Sequence, residues 1–309
     1  MRLVQGSRIV FDQSNATRPA VLAIQLDPKL DTGTAAEIVG RSGNIPLAWS
    51  ITFYVLAGFF VVAFLYHKFI LPYPPEDVPA LPDDGGVLAG FIETFASFFR
   101  KEGIGVAVAF LLLFRFAEAQ LVKLASPFLL DSQQVGGLAL TTGEVGFAYG
   151  TVGVASLTVG GILGGFLAAR NGLKYWLWPM VIAINIPNAV YVYLSFATPE
   201  SLTIINVCVA IEQFGYGFGF TAYMLYMIYI AEGHHKTAHF AICTGFMALG
   251  MMIPGMFSGW LQDIIGYDNF FMWVVIATIP GFIVTALIKI DPKFGVKEEH
   301  DQHPPDGDV

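Results

Sequence analysis

Seven stretches of the sequence are apolar almost throughout and long enough to cross a lipid bilayer as helices. A hydrocarbon core of about 30 Å takes about 20 helical residues. The last six stretches follow one another on short connections, which predicts a six-helix bundle over 104–289. We therefore predict an all-α membrane protein with about seven transmembrane helices, near 48–66, 104–123, 143–169, 174–196, 203–230, 238–260 and 270–289.

The segment 67–103, between the first and second predicted spans, has a different character. It is rich in proline near its start, as in Leu71–Pro75. Apolar residues then recur at the spacing of a helix, which predicts an amphipathic helix. We interpret it as a helix that lies along the membrane surface. The alternative is a cytoplasmic helix packed against the protein, and the pattern is compatible with both. The apolar positions are Leu88, Phe91, Ile92, Phe95, Phe98 and Phe99.

The composition supports this membrane assignment. Of 309 residues, 55% are hydrophobic and only 13% are charged, with a mean hydropathy of +0.63. A soluble domain carries about a quarter charged residues. Two cysteines exclude a disulfide scaffold, and Cys208 and Cys243 are interpreted as packing residues. No basic patch indicates a nucleic-acid partner.

Lysine and arginine are distributed unevenly between the two sides. The loops 124–142, 197–202 and 261–269 contain none. The positive-inside rule therefore places the other segments, including the C-terminus, in the cytoplasm of a cell with the chain in its inner membrane. The nine basic residues on that side are Lys68, Arg100, Lys101, Arg170, Lys174, Lys236, Lys289, Lys293 and Lys297.

This orientation determines the predicted domain organisation. Residues 1–47 form a polar extracytoplasmic segment, 67–103 a cytoplasmic linker, and 290–309 a disordered cytoplasmic tail. Basic residues before a first span usually stay inside, whereas 1–47 carries five of them from Arg2 to Arg41. We therefore expect the chain to be the C-terminal part of a larger protein.

Charged residues inside the spans are the candidates for chemistry, because charges in a bilayer usually face a cavity or a partner. Arg115 and Glu118 are three positions apart and predicted to pair. They form either the wall of a polar cavity, with Glu118 carrying a proton, or a structural ion pair. Lys123 is predicted to extend to the outer surface.

The fifth span places Glu212 and Tyr216 on one face, together with Tyr223 and Tyr226. A carboxylate with phenols along a stripe suits a pathway for a polar solute, although Tyr226 also fits the interfacial aromatic belt. In the fourth span, Asn188 follows Pro187 and either binds solute or repairs the backbone at the proline, as does Asn185.

No metal site or cofactor is predicted. His234, His235 and His239 surround the loop before the sixth span, and we interpret them as surface histidines. His235 and His239 have a spacing that binds metal on a helix, but no further ligands lie nearby. Motifs of enzymes are absent from the sequence, so the chain is not predicted to be an enzyme.

The connection between the third and fourth spans resembles a motif of the major facilitator superfamily, Gly-x-Leu-x-Asp-Arg-x-Gly followed by two basic residues. Ala169 replaces the aspartate and Leu173 one basic residue. The resemblance implies that 48–289 corresponds to helices 6–12 of that fold and that this loop takes part in conformational change. The matching residues are Gly165, Leu167, Arg170, Gly172 and Lys174.

The segment Leu113–Ala119, followed by Ser126–Asp131, is similar to AmpG-type muropeptide permeases of this superfamily. That resemblance implies proton-dependent transport, by alternating access, of an amphipathic sugar-peptide. The expected partners are a small solute, protons, the bilayer, and a missing N-terminal half or a second copy of the chain. The alternative is a non-transporting membrane scaffold, receptor or inactive remnant.

Overall fold

The computed structural model describes residues 2–3, 24–25, 45–72 and 86–296. The chain falls into two compact units, Met1–Ala80 and Leu81–Val309, which are described separately. Most of the predicted polar segment 1–47 lies outside the described residues.

The first unit contains a short strand pair and one long helix. Strand β1 (Arg2–Leu3) pairs antiparallel with β2 (Ile24–Gln25), with Arg2 opposite Gln25. The sequence analysis did not predict this pair. Helix α1 (Ile45–Ile70) is apolar and exposes large side chains such as Phe60 along its length, as expected of a helix in lipid.

The second unit is helical. Its helices are α2 (Gly86–Phe99), α3 (Ile104–Leu113), α4 (Phe116–Leu130), α5 (Thr142–Phe147), α6 (Val154–Asn171), α7 (Leu173–Asn185), α8 (Ala189–Ala197), α9 (Leu202–Ala231), α10 (Lys236–Ile276) and α11 (Ile279–Leu287). A π-helical turn joins α5 to α6, and 3₁₀ turns occupy Gln133–Val135 and Ile186–Asn188.

These helices combine into segments of membrane length. Six apolar segments in the described residues are long enough to cross a bilayer: Pro46–Ile70, Ile104–Leu130, Thr142–Asn171, Leu173–Ala197, Leu202–Ala231 and Lys236–Leu287. The prediction of an all-α membrane protein is confirmed, and most predicted ends lie within a few residues. The second span continues well past its predicted end at 123, because α4 runs on to Leu130.

The last segment contains two crossings. It has 52 residues, more than twice the length that one crossing of a bilayer requires, and Gly266 inside it has a left-handed φ of 75°. Just after Gly266, the Tyr267 hydroxyl donates to Asp131 at the far end of α4, at 2.7 Å. Beyond α11, the Phe294 ring lies 4.9 Å from that of Tyr229, at the opposite end of the bundle. The predicted spans 238–260 and 270–289 are therefore two crossings that meet at Gly266.

Helix α9 lies in close backbone contact with α6 and α7. A Cβ atom added at Gly215 would overlap the carbonyl oxygen of Ala183 in α7, and one added at Gly217 would overlap that of Leu157 in α6. From the other side, Gly160 and Gly164 of α6 approach the backbone of α9. Gly160 and Gly164, which form a GxxxG pair in α6, thus mediate close helix packing.

The beginning of the predicted disordered tail is part of the fold. The predicted tail begins at residue 290, but Ile290 is buried and the backbone N–H of Leu173 donates to the carbonyl oxygen of Phe294 at 3.1 Å. This prediction is therefore wrong for 290–296. The acidic composition on which it rests belongs to 297–309, which lie outside the described residues.

Helix α2 packs against α10 with one of its faces. Phe98 is fully buried and lies against the rings of His239 and Phe246, at 5.5 and 6.3 Å between ring centroids. Phe91 and Ile92 are each 59% exposed on the other side. Contact with the protein is therefore present, while the exposed apolar face keeps the membrane-surface prediction open.

Candidate functional site

Arg115 lies at a break within a membrane-length segment. Helix α3 ends at Leu113 and α4 begins at Phe116, and Arg115 has φ −104° and ψ 18°. No proline or glycine stands at the break. The side chains of Arg115 and Glu118 are only 7% and 6% exposed, so both charged groups lie inside the bundle.

The predicted pairing of Arg115 with Glu118 is present. The carboxylate oxygen Oε2 of Glu118 lies 3.0 Å from Nε of Arg115 and 2.8 Å from its Nη2. Two charges removed from water are tolerated only when paired and hydrogen-bonded, because each ion loses several kcal/mol of hydration. The pair therefore supplies the neutralisation that a buried arginine requires.

Helix α9 contributes aromatic partners to Arg115. Its Nη2 donates to the Tyr216 hydroxyl at 2.7 Å, and its Cζ lies 5.1 Å from the centre of the Tyr216 ring and 4.7 Å from that of Phe220. These are cation–π distances. Tyr216, one of the predicted site residues, thus contacts the Arg115–Glu118 ion pair in the structure. Phe220 was not predicted, although it lies one helical turn beyond Tyr216.

Tyr223 continues the aromatic face and stabilises the helix break. Its ring stacks on Phe220 at 5.9 Å, and its hydroxyl donates to the Leu111 carbonyl oxygen at 2.6 Å. The last carbonyl groups of a helix have no partner within the helix, and Tyr223 supplies one for α3. Tyr226 is buried against Phe110, at 4.5 Å between ring centroids.

Glu212 lies one helical turn before Tyr216 and is buried without a cation. It is 5% exposed, and its Oε2 accepts from the Gln213 side-chain amide at 2.9 Å. The two ion pairs found among the described residues do not include it. Glu212 lies within electrostatic range of Glu118, which connects it with the Arg115 site. The two buried carboxyl groups thus have different surroundings.

Asn188 is buried in the 3₁₀ turn between α7 and α8. It is 1% exposed, and neither its side-chain nitrogen nor its oxygen has a hydrogen-bond partner in the described part of the chain. The Asn188 side chain therefore does not bond to the backbone groups that Pro187 leaves free, which was one of its two predicted roles. Asn185 does bond locally, since its Nδ2 donates to the Val181 carbonyl at 2.9 Å.

A pair of tyrosines that the sequence analysis missed lies near Glu212. The hydroxyl groups of Tyr149, in the π-helical turn, and Tyr191, in α8, contact each other, and both lie within electrostatic range of Glu212. The available signal was the presence of a phenol hydroxyl within an apolar span. The polar interior of the bundle therefore draws side chains from four spans.

The predicted conformational loop lies at one end of this bundle. Gly172 has a left-handed φ of 83°, and a Cβ there would lie 3.2 Å from the carbonyl oxygen of Phe294. Arg170 lies in the last turn of α6, Lys174 lies in the first turn of α7, and both are exposed. Gly165 faces open space. The hydrogen bonds and ion pair of Arg115 in the described residues join it to Glu118 and Tyr216 and not to this loop.

Of the predicted surface histidines, His234 lies on the surface of the structure and His239 does not. His234 is exposed, but His239 is 3% exposed and its Nε2 lies 3.0 Å from Oγ of Ser97 in α2. The partner of His239 could not be predicted from the sequence, because Ser97 lies 142 positions away. The described residues contain no group of three side chains suited to a metal.

Comparison with known proteins adds to this geometry. No family model matches the chain. The putative transporter AmpG 4 of Rickettsia conorii (strain ATCC VR-613 / Malish 7) is 24% identical over 276 residues, which cover 88% of this chain and 64% of that protein. The anhydromuropeptide permease of Escherichia coli (strain K12) is 25% identical over 210 residues, or 68% of this chain and 42% of the permease.

A further relative, the putative transporter AmpG 2 of Rickettsia prowazekii (strain Madrid E), is 23% identical over 194 residues, or 63% of this chain and 46% of that protein. The chain thus spans less than two thirds of the length of each of these three relatives. All three are named as transporters or permeases and not as enzymes. The resemblance to AmpG-type permeases is confirmed, and the chain is a multi-pass membrane protein.

Proposed function

We propose that this chain, which is similar to AmpG-type transporters, functions in proton-coupled solute transport by alternating access. The observation that carries the proposal is the buried group of Arg115, Glu118 and Tyr216 at a helix break within the bilayer. Interrupted helices and intramembrane charges are the usual constituents of transporter binding sites.

Arg115 is assigned to solute binding. Its guanidinium group is fixed between Glu118 and the aromatic face of α9. Arginine recognises carboxylates through paired hydrogen bonds, and aromatic rings provide apolar surface for the less polar parts of a solute. This combination suits an amphipathic solute with a carboxylate, such as a sugar-peptide, which agrees with the name of the E. coli permease.

Glu212 is assigned to proton transfer, and Glu118 to the charge balance of Arg115. A carboxylate in a bilayer needs a cation or a proton, and Glu212 has no cation among the described residues. Its neighbours Tyr149 and Tyr191 offer hydroxyl groups through which a proton can pass. Asn188, whose two side-chain polar atoms have no hydrogen-bond partner among the described residues, is assigned to the same pathway, where it would bond to a solute group or to water.

Alternating access requires a second helical bundle opposite this one. We propose that an N-terminal half or a second copy of the chain supplies it, and that the loop of Gly165, Arg170, Gly172 and Lys174 moves with it. The charge distribution supports a cytoplasmic C-terminus and an inner-membrane location.

The experiment is uptake of a labelled anhydromuropeptide by proteoliposomes that contain the full chain, with and without a proton gradient. The variants are Glu212→Gln and Glu118→Gln. Glu200→Gln is the matched control, since Glu200 is exposed in the loop between α8 and α9. We expect the gradient to stimulate uptake in the wild type and the control, and Glu212→Gln to abolish the stimulation.

Chemical cross-linking in the same vesicles measures the oligomeric state. A dimer with uptake supports pairing of two copies. A chain that remains monomeric and neither binds nor transports the solute would overturn the proposal and favour the non-transporting scaffold. Stimulation that persists in both Gln variants would remove these carboxyl groups from the mechanism.

A further inference from the structure

An apolar groove of 660 Å³ lies between α2 and the first part of α10. Its volume falls in the range of small-molecule sites, about 300–1,000 Å³. Its only polar lining residue is Thr94, whose hydroxyl donates to the Gly90 carbonyl at 2.8 Å and is therefore already satisfied. The groove is lined by Phe91, Thr94, Phe95, Ala238, Ala241, Ile242, Gly245, Phe246 and Leu249.

Small residues leave the α10 side of the groove open. Ala238, Ala241 and Gly245 follow one another at helical spacing, so they share one face of α10. No heavy atom of the described residues lies within 4 Å of a Cβ added at Gly245. The missing side chain there serves no helix contact. The result is a trough along the helix, wide enough for a linear apolar chain.

The wall formed by α2 is held in place by polar contacts. Nε2 of His239 lies 3.0 Å from the Ser97 hydroxyl and 3.3 Å from the Thr94 carbonyl oxygen. Phe98 is fully buried beside the same histidine. The groove therefore lies between two fixed walls and not between loosely placed helices.

One end of the groove lies near a cation without an acidic partner. Arg100 pairs with Glu93 at 3.1 Å. Lys101 donates to the carbonyl groups of Ile230 and Glu232, and partial burial lowers its pKa although the Glu232 charge opposes this. Lys236 is exposed two residues before Ala238 and belongs to neither ion pair found in the described residues.

We propose that the groove binds one acyl chain of an anionic phospholipid, whose phosphate group lies beside Lys236. The apolar lining and the absence of free hydrogen-bonding groups fit a hydrocarbon chain. The cation at the mouth and the positive end of the α10 dipole fit a phosphate. A basic residue near the membrane surface strengthens binding of an anionic lipid about fivefold. The inference depends on the chain being in a membrane and is independent of the transport proposal.

The experiment is native mass spectrometry of the purified full chain in detergent, with added phosphatidylglycerol or phosphatidylcholine of identical acyl chains. Gly245→Leu fills the trough without a clash. Gly259→Leu is the matched control, because Gly259 lies on the same helix, also in open space, and outside the groove. We expect Gly245→Leu to weaken binding of the first phosphatidylglycerol about tenfold, since each excluded methylene group loses its transfer free energy, and Gly259→Leu to leave it unchanged.

A second variant tests the headgroup. Lys236→Gln is expected to reduce the preference for phosphatidylglycerol over phosphatidylcholine about fivefold. Equal binding by Gly245→Leu and Gly259→Leu, or no preference for the anionic lipid in the wild type, would overturn the proposal. A photo-cross-linker at position 245 that captures protein and not lipid in native membranes would overturn it as well. In that case a helix fills the groove.

Discussion

Arg115 and Tyr216, 101 positions apart in the sequence, are joined by a 2.7 Å hydrogen bond in the interior of the bundle. The same guanidinium group lies against the Tyr216 ring and bonds to Glu118. One cation thus connects a helix break in the second span with the middle of α9. Each of these contacts can be tested by replacing one side chain.

Replacing Arg115 with lysine should separate charge from shape. Lysine keeps the positive charge but lacks the planar fork that reaches Glu118 and Tyr216 together and lies flat on the Phe220 ring. We expect Arg115→Lys to lower uptake at least about tenfold, a loss of transition-state or binding free energy of about 1.4 kcal/mol. Uptake in proteoliposomes measures this, with circular dichroism as the check on folding. Uptake equal to wild type would mean that the charge alone matters.

The two buried carboxyl groups should differ in their contribution to stability. Glu118→Gln leaves Arg115 as a buried unpaired cation, which we expect to cost about 3–5 kcal/mol of unfolding free energy. Glu212→Gln removes no ion pair and should change the unfolding free energy by less than about 1 kcal/mol. Unfolding in mixed micelles with increasing denaturing detergent measures both. A larger loss of unfolding free energy for Glu212→Gln than for Glu118→Gln would contradict the conclusion that only Glu118 is paired with a cation.

Adding one methyl group to α9 should disrupt its packing. In Gly215→Ala the new Cβ meets the backbone of Ala183 and the ring of Pro187, neither of which can rotate away. We expect a loss of about 1–3 kcal/mol in unfolding free energy, the usual cost of overpacking. Gly146→Ala in α5 is the control, because its Cβ points into open space. It should be neutral or slightly stabilising, since alanine favours a helix. Equal effects of the two changes would mean that α9 and α7 can separate at no cost.

Removing the His239 side chain should release α2. His239→Ala removes the contacts with Ser97 and with the Thr94 carbonyl oxygen, and leaves a space beside Phe98. We expect amide hydrogen exchange in α2 to become about tenfold faster or more, because exchange follows the free energy of local opening. His234→Ala is the control, since His234 is exposed. Unchanged exchange in α2 would show that Phe98 alone holds it.

Periodicity and hydrophobicity predicted the number and approximate limits of the spans, because the bilayer imposes both on the sequence. The Arg115–Glu118 pair was predictable from its spacing. The break at Arg115 was not, because no proline or glycine marks it. The contact with Tyr216 and the burial of His239 depend on tertiary packing between distant segments, which no local pattern encodes.

The close backbone contacts of α9 have a mechanical consequence. Carbonyl groups of α6 and α7 contact the backbone of α9 directly at its glycines. At these positions no side chain of α9 separates the helices, so sliding of one helix along another would bring the backbones into collision. We therefore expect the three helices to move together as one body. Rocking of the bundle would then bend the chain where its helices are already interrupted, for example at Arg115 in the second span and at Gly266 between the last two crossings.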